Sequence, residues 1–139
     1  MEVSKGDLEA LSDVRIREAT LLYQAQHYSG AYYLAGYAVE LAIKACIAKH
    51  IRSGFIPDRS FVNRIYQHKL DDLIGLAGLK EALNEEIKRD PQLGGNWGIA
   101  CDWSEESRYS AWDAVNAAAL ISAIEDPVHG VLQWLKKHY

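Results

Sequence analysis

With 139 residues, 49% of them hydrophobic and 24% charged, the chain has a globular composition and enough length for a real core, which excludes a disordered tail. A formal net charge of −4 excludes a chain-wide basic field that would steer it to nucleic acid. The only basic run that stands out is the Lys136-Lys137-His138 end.

In chain order, Leu8, Leu11, Ile16, Ala19, Leu22 and Tyr23 recur at helical spacing and predict a first helix from about Asp7 to His27. The acidic, amphipathic opening MEVSKGDLEALSDV does not read as a signal peptide. A short break at Tyr28-Ser29 makes the next helix its antiparallel neighbour. That helix, GAYYLAGYAVELAIKACIAKH from Gly30 to His50, organises everything else. Between Gly30 and Ala48 only Glu40 and Lys44 are charged. A helix apolar nearly all round is normally a buried one. Glu40 and Lys44 would lie in the middle of a membrane span, which argues for a bundle core instead. Ser29 is expected to cap its start and Gly54 to end it.

After Gly54, FIPDRSFVNRIYQ reads as a loop with one helical turn, Phe61 to Tyr66. His68 then opens KLDDLIGLAGL, a short helix ended by Gly78, and Lys80 to Arg89 forms another, stopped by Asp90-Pro91. QLGGNWGIACDWSEESRY looks like a structured loop pinned by Trp97 and Trp103, with Gly94, Gly95 and Gly98 making a demanding turn. A last long helix begins near Ser110. Asp126-Pro127 then starts a terminal one, with Asp126 as its cap. Nothing alternates at period two, so the expected fold is all-α, an up-and-down bundle of about five helices in one domain spanning 1–139.

The chain shows no HExxH, no phosphate-binding GxxxxGK[ST] and no GxSxG, so no metal or cofactor is indicated. Cys46 and Cys101 form neither a CxxC pair nor a zinc set. Cys46 is expected to be a buried free thiol in a reducing, cytoplasmic setting. Three places hold chemistry. Glu40 and Lys44, at i and i+4, form an ion pair that is part-buried on so apolar a helix. Arg108-Tyr109 follows the acidic Glu105-Glu106; Arg108 either satisfies Glu40 or faces a phosphate, which its fork-shaped guanidinium suits. His68 either packs at a helix start or carries a proton near neutral pH.

On these residues the chain resembles the HEPN domains, small prokaryotic helical proteins found beside minimal nucleotidyltransferases. The likeness lies in YYLAGYAVELAIKACI, in His68 followed by KLDDLIGLAGL, in Arg108-Tyr109 and in the closing DPVHGVLQWLKKH. The resemblance implies a homodimer with a cleft between protomers, acting either as a ribonuclease, often a toxin or defence effector, or as a non-catalytic nucleotide-binding module. The ribonucleases carry an Arg followed by a His after four to six residues. Here the nearest pair is Arg64 and His68, with three residues between. On one helix that spacing would still put both side chains on one face. The expected functions are therefore a nucleotide- or RNA-binding module edged by Arg108, Tyr109 and His68, a metal-independent ribonuclease using Arg64 and His68, and a partner-binding subunit of a minimal nucleotidyltransferase.

Overall fold

The computed structural model describes residues 2–139, and among them every regular element is helical. The elements are α1 (Lys5–Gln24), α2 (Tyr28–Ala48), α3 (Arg59–Ile65), α4 (Leu70–Leu76), α5 (Lys80–Arg89), α6 (Pro91–Cys101), a 3₁₀ turn (Glu105–Tyr109), α7 (Ala114–Glu125) and α8 (Val131–Lys136). Eight α-helices stand where about five were expected, because several of the breaks separate helices of only six or seven residues.

α1 begins at a reciprocal cap: the Ser4 hydroxyl takes the Asp7 N–H at 3.0 Å, and the Asp7 carboxylate takes the Ser4 N–H at 2.9 Å. Ser12 donates to the Ala38 carbonyl at 2.7 Å, and Leu22 lies against Gly30, so α1 and α2 run antiparallel. α2 packs against α1, α4, α7, α8 and the 3₁₀ turn. Ala31, Ala35, Ala38, Ala42 and Ala45 are fully buried, and small side chains here let several neighbours approach one rod. By length and composition α2 could cross a membrane, but 72% of its most apolar stretch is buried by other helices.

Five boundaries differ from expectation. α2 starts at Tyr28 with His27 before it, and the Ser29 hydroxyl instead takes the Trp112 N–H at 2.9 Å. α2 ends at Ala48, well before Gly54, which has positive φ (84°) in the turn that follows. The stretch read as a structured loop contains α6, capped by Asp90 with Pro91 in its first turn. Gly94, Gly95 and Gly98 are helical residues of α6, and a Cβ on Gly94 would come within 2.8 Å of Ile87, so this glycine lets α5 and α6 close up. α7 begins at Ala114, where Asp113 accepts the Asn116 N–H at 2.8 Å. Asp126 does not cap the start of α8, where Gly130 stands; it closes the end of α7, and its carboxylate takes the N–H groups of Val128 and His129 in the tight turn that follows. Trp97 and Trp103 are buried, as the pinning role requires.

Candidate functional site

The site hangs from the outer edge of α2. Its stripe of Tyr33, Tyr37, Glu40 and Lys44 faces away from the alanine core, and Tyr33 and Tyr37 stack with ring centres 6.1 Å apart. Just inside that stripe, Gly36 offers bare backbone, on which the Trp103 indole lies: a Cβ at Gly36 would fall 2.2 Å from the ring. The indole N–H donates to the Tyr33 carbonyl at 3.2 Å. Trp103 thus seats the start of the 3₁₀ turn against α2, and the turn carries Glu105 and Arg108 to the same edge. The Trp112 indole N–H, donated to the Ser107 carbonyl at 2.9 Å, holds the turn from its far side.

Glu40 is 1% exposed, yet both oxygens are engaged. Lys44 donates to Oε2 at 3.2 Å, and His68 Nδ1 lies 2.9 Å from Oε1. The other ring nitrogen of His68, Nε2, lies 2.7 Å from Glu105 Oε2. With a carboxylate oxygen at each nitrogen, only the doubly protonated ring donates to both. Arg108 Nη1 stands 4.0 Å from the same Glu105 oxygen, and Nη2 donates to the Tyr109 hydroxyl at 2.9 Å with the guanidinium over the Tyr109 ring. The Tyr109 hydroxyl, and after it that of Tyr33, holds Arg108 above the ordinary arginine value and so in its charged form. Burial, with the Glu40 carboxylate second, pushes the Tyr37 phenol up. The result is a row, Lys44, Glu40, His68, Glu105, Arg108, with Glu40 buried, Lys44 part-buried beside it, and the groups beyond it partly open to water.

The three side chains read as ligand-binding, His68, Arg108 and Tyr109, therefore do come together, through Glu105. Glu40 and Lys44 form the expected ion pair, with Glu40 buried and Lys44 only part-buried. Arg108 does not reach Glu40; Lys44 and His68 are the groups that engage its two oxygens. The one-face geometry of Arg64 and His68 is not formed either. α3 stops at Ile65, and His68 lies beyond it in non-helical chain before α4. Arg64 instead lines a shallow polar cleft with Gln67, Asp71 and Lys80. Glu105 was visible in sequence only as part of an acidic run, and nothing local marks it as the partner of His68.

A second histidine pair was not anticipated. His129 Nδ1 lies 2.7 Å from Asp90 Oδ2, and Asp90 Oδ1 takes the Leu93 N–H at 3.3 Å to cap α6. The hydrogen bond to His129 holds the Asp90 carboxyl below its usual range. Asn96 completes the link by donating to the His129 carbonyl at 2.8 Å. Cys46 is buried and burial pushes its thiol up to about 11, whereas Cys101 is exposed at the end of α6. Among the described residues no three His, Cys, Asp or Glu side chains are placed to hold a metal ion. Compared with protein-family models, characterised proteins and solved structures, the chain matches none.

Proposed function

We propose that this chain is a HEPN-like homodimeric bundle that binds the phosphate of a nucleotide or RNA at His68, Arg108 and Tyr109, in a cleft it uses as a binding module or shares with a minimal nucleotidyltransferase partner. One observation carries the reading: His68 and Arg108 converge on the single half-exposed carboxylate of Glu105. A carboxylate and a phosphate oxygen take the same donors, so an incoming anion that displaces Glu105 inherits a ring N–H of His68 and a guanidinium fork. Glu40 keeps the ring turned toward that position. Tyr109, 76% exposed beside it, offers a ring face on which a base can stack.

Thermal denaturation with millimolar nucleotides and short RNAs tests the reading. A rise in Tm is expected, lost in Arg108→Ala and enlarged in Glu105→Gln, which removes the competing charge. No shift with any nucleotide or short RNA overturns it.

The metal-independent ribonuclease remains the second reading, favoured by the backing of His68 Nδ1 by a buried carboxylate, the arrangement that orients a general base. It predicts growth arrest on expression, abolished by His68→Ala. Unaltered growth with intact cellular RNA removes it.

A further inference from the structure

The chain is acidic overall, but its charge is segregated. From Lys49 to Lys69 it carries Lys49, Arg52, Arg59, Arg64 and Lys69 against one acid, Asp58. All five cations are exposed, and among the described residues none has a carboxylate within ion-pair distance, although Lys49 donates to the His138 carbonyl at 3.1 Å; elsewhere Lys5, Arg15, Lys80, Arg89 and Lys136 are paired, and Arg17 and Lys137 stand singly. Asp58 is committed to the cap of α3, where it accepts the Phe61 N–H at 3.1 Å. Aromatic faces are interleaved with these cations. Phe55 is 63% exposed with the Arg52 guanidinium 4.5 Å from its ring centre, and Tyr66 is 74% exposed. Beside Phe55 lies an open cleft of about 300 Å³, with Ile51, Pro57 and Phe61 as its apolar wall and His50 and Arg52 at its edge. Its size and largely apolar lining suit a flat heterocycle, with Arg52 at the edge facing a strand's phosphates and Asp58 held at the cap of α3.

We propose that Lys49–Lys69 is a docking track for single-stranded nucleic acid, with Arg52, Arg59 and Arg64 on phosphates and Phe55 and Tyr66 stacking bases. Unpaired cations set among exposed aromatic rings are the chemistry that holds an unpaired strand without reading its sequence. Guanidinium groups outnumber ammonium groups along the segment, which suits phosphate forks. The segment contains His68, so the track runs into the anion position described above; in that last step it rests on the proposed phosphate-binding reading. The rival occupant is an anionic membrane surface, into which Ile51 and the 98%-exposed Ile56 would insert. Two isoleucines on a short loop give a bilayer little apolar area, whereas the rings and guanidiniums extend over the whole segment.

Fluorescence polarisation with a labelled single-stranded RNA about 20 nucleotides long, titrated over a range of salt, tests the track. R52A/R59A/R64A is expected to weaken binding about tenfold or more at low salt and to flatten the slope of log affinity against log salt by about 2. R52K/R59K/R64K is expected to keep the slope, which separates lost charge from lost folding. F55A/Y66A is expected to weaken binding about tenfold with the slope unchanged. An R52A/R59A/R64A protein that binds RNA as the parent does overturns the track while leaving the Arg108-dependent nucleotide shift standing. RNA binding through the track with no nucleotide shift overturns the phosphate-site reading alone. Sedimentation with phosphatidylserine vesicles in the absence of RNA binding overturns the track in favour of a membrane.

Discussion

The molecule holds two histidine–carboxylate pairs built from similar parts and put to different ends. His129 meets Asp90 at a junction tied down on several sides: Asp90 also caps α6, Asp126 accepts the His129 backbone N–H, and Asn96 donates to the His129 carbonyl. His68 meets Glu40 in the opposite situation. Its carboxylate is sunk in α2, its ring is 40% exposed, and the next residues outward, Glu105 and Arg108, stand in reach of water. The first pair closes a structure. The second ends in groups whose hydrogen-bonding capacity is directed outward, and the difference comes from burial and neighbours, since the residue types are nearly the same.

The comparison can be broken most forcefully beneath the second pair. Gly36→Ala drives a methyl group into the Trp103 ring, and the expected loss is about 3 kcal/mol, the upper end for overpacking, read from the urea midpoint. It should also unseat the 3₁₀ turn while the Asp90–His129 junction, on other helices, stays protected in hydrogen exchange. Next in size is Glu40→Gln, which leaves Lys44 and His68 without their shared charge. Both retain access to water, so about 2 kcal/mol is expected rather than the full penalty of a broken buried pair. The smallest effect belongs to His129→Ala. Asp90 has its carboxyl depressed chiefly by His129, and a depressed carboxyl contributes stability that is present above its ordinary value of 3.8 and is lost as pH falls through the folded value. The gap in stability between wild type and His129→Ala should therefore be wider at about pH 5 than at about pH 3. Equal gaps at both would show that His129 does not depress the Asp90 carboxyl.

The helical class was legible in the period of apolar residues, most plainly in α2, whose nearly unbroken apolar surface is buried on most sides. α6 was not, although Leu93, Trp97 and Ala100 fall at helical spacing and all are buried. Three glycines masked that period, and Asp90-Pro91, read as a stop, is equally a start: Asp accepts a free N–H and Pro fits the first turn. At the site, Glu40, Lys44, His68, Arg108 and Tyr109 could each be singled out by type. Their meeting could not, because Glu105 reaches His68 only through the seat of an indole on Gly36, a contact between distant segments with no local trace. The cations of Lys49–Lys69 were hidden by the whole-chain balance of −4, which averages a basic stretch against acidic helices.

Because Trp103 rests on bare α2 backbone two residues before Glu105, the molecule has an optical gauge beside the proposed anion position. Whatever draws Glu105 off His68 must tug the indole on its platform, so the emission of a variant retaining Trp103 as its sole tryptophan would register ligand arrival without any attached dye.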